Sequence, residues 1–158
     1  MQEILELLEN NARLSTEELA VLTNKSVDEV EAIMAELKSK GIIVGWRPII
    51  NWEKTNREDV SALIELRIRP QKGCGFDALA QRISAFDQVK NLYLMSGGFD
   101  LGVFVEGKNI KDIALFVSEH LSQLDGVIST ATHFVLKVYK YEGIDFFDPQ
   151  CDRREVYS

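Results

Sequence analysis

Leucine, isoleucine and valine recur at three- and four-residue spacings through the first forty residues, then at two-residue spacings after residue 60. That change of period divides the chain into a helical part and a part built on strands. Ile4, Leu5, Leu7, Leu8 and Leu14 predict a first short helix ending near Asn10-Asn11. Ser15-Thr16-Glu17-Glu18 is a capping box, in which Ser15 caps the third amide and Glu18 reaches back. Leu19, Ala20 and Leu22 then supply an apolar face for a second helix. Thr23-Asn24-Lys25 is the turn, where Asn24 tolerates the left-handed conformation. A second box, Ser26 to Glu29, opens a third helix whose stripe is Val30, Ile33, Met34 and Leu37. Gly41 suits its C-terminus. Two helices joined by a short turn, each with its own start signal, read as a helix-turn-helix. Residues 42–50 read as a short β-wing.

After the polar stretch 51–59, which reads as linker or connecting helix, residues 60–69 alternate. Ala62, Ile64, Leu66 and Ile68 share one face, and Leu63, Glu65, Arg67 and Arg69 the other. Gly73-Cys74-Gly75 breaks this strand. Phe76, Leu79, Ala80, Ile83 and Phe86 predict an amphipathic helix, residues 89–95 a strand, Gly97-Gly98 a hairpin turn, and residues 101–105 its partner. A second helix over 110–124 and a long final strand over 127–139 complete β-α-β-β-α-β, the ferredoxin-like unit. The fold class is therefore α+β. A winged helix-turn-helix occupies residues 1–50, a linker 51–59, a ferredoxin-like domain 60–139 and a tail 140–158. Such a sheet carries helices on one face. Leu63, Leu92 and Leu94 or their neighbours are expected on the open face, where a second copy is the simplest cover.

Charge complicates this reading. Of the net −7, residues 1–59 carry −5, from seven Lys/Arg against twelve Asp/Glu. The third helix has four acids between Ser26 and Leu37 and no base, whereas phosphate neutralisation supplies most non-specific DNA affinity. Cys74 and Cys151 read as free thiols in a reducing cytoplasm. The first ten residues are acidic and amphipathic, unlike a signal or transit peptide. No apolar run approaches the roughly 20 residues of a membrane span.

Four segments carry a family resemblance. ILELLENNARLS (4–15), Leu37 with GIIVGW (41–46), SGGFDL (96–101) and VISTAT (127–132) resemble, in order, motifs of the Lrp/AsnC, or feast/famine, regulators. The resemblance covers about residues 1–139. It implies a DNA-binding domain followed by an effector-binding and oligomerisation domain of the RAM type, with an amino acid as effector. Members commonly carry Arg or Lys where this chain has Ala32, Ile33 and Glu36. The tail after Tyr139 resembles nothing in the family.

The candidate DNA-binding residues are Lys25, Ser26, Asp28 and Glu29 at the start of the third helix, and Arg47 on the wing, with Lys54 nearby. They read equally as solvated surface. Ser96, Gly97, Gly98, Phe99 and Asp100 are the candidate effector turn. Amides beside paired glycines can hold a carboxylate, and Asp100 an ammonium. The same residues also make an ordinary hairpin turn, with Asp100 bonding its own loop. A β-branched residue at Gly98 is expected to resist a positive φ there. The resemblance puts Ser129, Thr130 and Thr132 near an effector pocket between subunits; β-propensity alone also accounts for them.

His120 and His133 are the two histidines, and no Cys or His partner stands at metal-ligand spacing. No cofactor or metal is expected. No nucleophile–base pair or phosphate loop marks an enzyme, although siroheme decarboxylases share the two-domain plan. The sequence therefore points to a transcriptional regulator that binds double-stranded DNA as a homodimer or larger homo-oligomer, tuned by a small effector. An effector-sensing module with degenerate DNA binding is the alternative, and a siroheme-decarboxylase-like enzyme a more distant one.

Overall fold

A computed structural model describes residues 1–69 and 75–147. Cys74, Cys151, the Gly73 break and the tail from residue 148 lie outside the described residues. The chain forms two units that meet in sequence between Ile49 and Ile50.

The first unit is three helices, α1 (Gln2–Asn10), α2 (Thr16–Thr23) and α3 (Val27–Ser39). Both capping boxes form. Ser15 Oγ accepts from the Glu18 amide, Ser26 Oγ from the Glu29 amide, and each glutamate accepts from its serine's amide. Asn24 takes the left-handed conformation (φ 53°, ψ 44°) between α2 and α3. α3 ends in a Schellman motif. Gly41 has φ +65°, Ile42 donates to the Leu37 carbonyl (2.9 Å) and Gly41 to that of Lys38 (3.0 Å). Ile4, Leu8, Leu19, Ala20 and Val30 form the core, with Ile33 and Met34 half-buried against it. Leu22 is exposed; the buried position after Ala20 is Thr23, which bonds the Leu19 carbonyl.

Over residues 42–50, where the wing is expected, no strand is formed among the described residues. The chain bends at Ile42 and Ile43 and runs on to Ile50 without regular structure. A strand needs a ladder partner, and no segment of this unit pairs with these residues. Ile42, Val44, Trp46 and Ile49 are left exposed, Val44 at 92%.

In the second unit, β1 (Val60–Ile68), β2 (Val89–Leu94), β3 (Leu101–Gly107) and β4 (Val127–Phe134) form one antiparallel sheet in the order β2-β3-β1-β4. α4 (Asp77–Ser84) and α5 (Ile110–Phe116) pack on one face. This is the ferredoxin-like topology. β1 behaves as its alternation predicts. Ala62, Ile64, Leu66 and Ile68 are buried against Leu79, Ile83, Leu101, Val103, Val105, Ile113 and Phe116.

Four details differ from expectation. Leu92 and Leu94 pair with Val103 and Leu101 and lie on the helix side, and it is their neighbour Tyr93, opposite Gly102, that takes the open face. The helix begun by α5 continues as a π turn over Val117–Leu121, closed by the Ser122 amide on the Val117 carbonyl (2.8 Å). β4 stops at Phe134. The following chain makes a hairpin of β5 (Lys140–Tyr141) and β6 (Ile144–Asp145), turned by Glu142 and Gly143, both with positive φ. Residues 51–59 include a short 3-10 helix over Trp52–Lys54. Within the second unit, the Arg57 guanidinium sits 4.6 Å over the Trp52 ring and pairs with Asp59 and Glu106, and Glu53 accepts from the Val138 amide (3.2 Å).

Candidate effector turn and DNA-reading helix

α3 buries Val30 and Leu37 and exposes Asp28, Glu31, Ala32, Ala35 and Ser39. Its four acids do not act alike. Glu29 is consumed by the cap, since its Oε2 accepts from both the amide (2.8 Å) and the hydroxyl (3.0 Å) of Ser26. Glu36 is paired with Lys40 Nζ at 2.5 Å. Asp28 and Glu31 have no hydrogen-bond or ion-pair partner among the described residues. Lys40 offsets the charge of Glu36 alone, while Glu29 keeps its charge within the cap. Ser26 is exposed, but its hydroxyl is committed to the same cap. Lys25 is half-buried in the turn, Arg47 is exposed on the unpaired 42–50 segment, and Lys54 belongs to the second unit.

The cap makes one pH dependence predictable. The Ser26 amide first, then its hydroxyl, hold the Glu29 carboxyl below its ordinary value of 4.5. A depressed carboxyl stabilises the fold above that ordinary value and loses its effect as the pH falls through the lower, folded value. Urea denaturation should therefore separate Glu29→Ala from the parent at pH 7, and the gap should narrow at pH 3. A constant gap would show that the pair does not act through ionised Glu29.

In the second unit, the Ser96–Asp100 turn joins β2 to β3. Ser96, Gly97 and Gly98 are exposed, and Phe99 and Asp100 half-buried. The left-handed φ belongs to Gly97 (+154°). Gly98 has none, and a Cβ there would meet open space, so the expected strain at Gly98 moves to its neighbour. The amides of Ser96, Gly97, Gly98 and Phe99 donate to no protein acceptor among the described residues. Consecutive free amides are the chemistry of an anion-binding loop. Asp100 is tied to β1. Its amide donates to the Leu66 carbonyl (2.9 Å), and its Oδ2 accepts from the Ile68 amide (2.7 Å). The turn is thus riveted to the central strand at two points.

Ser129, Thr130 and Thr132 do not converge. Thr130 and Thr132 pair with Leu66 and Ile64 and share the helix side; Ser129 pairs with Arg67 and lies on the open side. Period-two alternation already implied that split. On the open side His133 Nε2 lies 3.2 Å from Glu65 Oε1. His120 instead packs against the rings of Phe86 and Phe116. Among the described residues no three His, Cys, Asp or Glu side chains group as metal ligands.

Sequence reasoning missed the centre of the open face. Gly102 has no side chain, and Phe99, Leu63 and Met95 close over it, with atoms 3.5–3.6 Å from where a Cβ would sit. Phe104 and Tyr93 stand beside them edge to face (6.1 Å), at 37% and 48% exposure. The signal was present: a glycine inside an alternating strand marks a close approach. Phe99 therefore belongs at once to the effector turn and to the uncovered apolar face.

Comparison with known proteins agrees with this two-part plan. Residues 2–44 match the family of winged helix-turn-helix DNA-binding domains, and residues 61–144 the Lrp/AsnC ligand binding domain. The chain is 42% identical to the uncharacterized HTH-type transcriptional regulator YugG of Bacillus subtilis, over 99% of this chain and 95% of that one. Its fold is similar to that of AsnC from E. coli (TM-score 0.67, 23% identity, covering 87% and 91% of the two chains). It is also similar to a transcriptional regulator from Neisseria meningitidis solved as an L-Met complex (TM-score 0.69, 24% identity, covering 87% and 88%). No helix among the described residues is long and apolar enough to cross a membrane.

Proposed function

The chain belongs to the Lrp/AsnC family of DNA-binding transcriptional regulators, and on that premise we propose that an amino acid binds at the Ser96–Asp100 turn and tunes the assembly of a homodimer or larger oligomer that holds DNA. The observation that carries this reading is the dual position of Phe99. It follows two glycines whose amides are free, and its ring packs on the face a second copy would cover. The loop amides suit the ligand's carboxylate, and Asp100, with one oxygen engaged by Ile68, suits its ammonium. A ligand that orders this turn reshapes the edge of the apolar face. The L-Met complex of the Neisseria regulator makes methionine the first ligand to try.

Lys25 and Arg47 attract the DNA backbone, and Ser26, Asp28 and Glu29 begin the helix presented to it. Each phosphate contact steepens the log–log salt slope by about −0.9. With two or three contacts per subunit, one subunit binds weakly and the oligomer gains by effective concentration. The setting is the cytoplasm, and the role is binding and not catalysis.

The test joins two measurements on the full chain. Thermal shift against the twenty amino acids should single out one ligand or a small group that raises the melting temperature, because a ligand of the native state stabilises it. Fluorescence anisotropy with duplex from the neighbouring promoter, over a salt series, should show binding that the same ligand alters. A ligand shift with no DNA binding at low salt would favour the sensing module with degenerate DNA binding. No shift with any amino acid would move the effector to another chemical class.

A further inference from the structure

The outward stripe of α3 has a composition that suits base edges and not phosphates. Asp28, Ala32, Ala35 and Ser39 recur at spacings of four, three and four, so they form one line along the helix, and all four are exposed. Val30 and Leu37, on the opposite side, are buried. In a helix-turn-helix the N-terminal residues of the second helix meet the base edges in the major groove. On this stripe those residues are Asp28 and Ala32.

Each has a defined complement in the groove. A carboxylate has acceptors only, and cytosine presents the N4 amine as a donor; alanine offers a methyl, which matches the C5-methyl of thymine. Asp28 is also the acid of the first turn that remains free, since Glu29 is locked into the cap by Ser26. We infer that Asp28 reads a cytosine in the operator by accepting from its N4 amine, and that Ala32 packs on a thymine methyl further along the groove. The acidity of the helix then has a purpose. It weakens binding to arbitrary sequence through phosphate repulsion, while the correct cytosine turns one of its charges into a hydrogen bond. This rests on the DNA-binding reading of the first unit.

The experiment selects operators from a randomised duplex library with the full-length protein at fixed salt. Asparagine pairs bidentately with adenine N6 and N7. Asp28→Asn should therefore convert one cytosine per half-site to adenine and leave the other positions unchanged, with a preference of about five- to a hundredfold. Asp28→Ala should leave that position without preference. Replacing the adjacent selected thymine by deoxyuridine should weaken the parent severalfold and leave Ala32→Gly indifferent. Identical consensus sequences from the parent, Asp28→Asn and Asp28→Ala would overturn the assignment while leaving DNA binding in place. A parent that selects no sequence and binds no duplex would overturn the assignment together with the DNA-binding reading beneath it.

Discussion

Phe104→Asp should turn the assembled protein into monomers and lower its affinity for duplex DNA by about a hundredfold or more. Phe104 stands on the open side of β3 against Tyr93, so a charge there does not enter the core of Ile64, Val103 and Ile113. It would enter the face that a second copy would cover in the proposed dimer. A carboxylate buried there without a partner costs several kcal/mol per copy, and a two-fold interface carries the change twice. The lost DNA affinity follows from lost linkage between two weak readers, with no contact to DNA removed. Light scattering checks the mass, anisotropy the affinity, and far-UV circular dichroism that the fold persists. An unchanged oligomer would show that assembly uses another surface, of which the exposed 42–49 segment is the next to test.

Asp100→Ala and Asp100→Asn should part company. Alanine removes the acceptor of the Ile68 amide, a partly buried bond. Leaving such a donor unsatisfied costs about 1–3 kcal/mol, so the melting temperature should fall and the effector response disappear. Asparagine keeps an acceptor oxygen for the Ile68 amide and removes the charge. It should melt close to the parent and still lose the amino-acid response, because the ammonium has lost its counter-charge. An Asp100→Asn protein that answers the same ligand with unchanged affinity would place the ammonium on a different residue.

How far the sequence disclosed these sites follows from the range of the interactions. The capping boxes at Ser15 and Ser26 were legible because each is closed within four residues. The buried face of β1 was legible because alternation alone determines it. The missing strand over residues 42–50 was not, because a strand depends on a ladder partner that this segment's own sequence does not reveal. Asp100 reads as a loop acid until its acceptor role toward Ile68, 32 residues away, is visible. The tail hairpin had a local signal in Glu142-Gly143, but its strands are two residues each, too short for a period to show. The grouping of Ser129 with Thr130 and Thr132 followed the family motif where the strand period pointed the other way.

The central place of β1 in the sheet also sets an order of events during synthesis. The helices of the first unit close through neighbours a few residues apart, and their contact order is low. β1 must instead find Val105 opposite Ala62 on one side and Phe134 opposite the same residue on the other, 72 residues downstream. At ribosomal rates of about 5–20 residues per second that wait is roughly 4 to 14 s. Throughout it the nascent chain carries a finished DNA reader followed by a strand with an open edge, and the same open edge would persist in any product truncated before β4. A polysome brings several such edges close together, which is the condition for strand exchange between copies until β4 of each chain arrives.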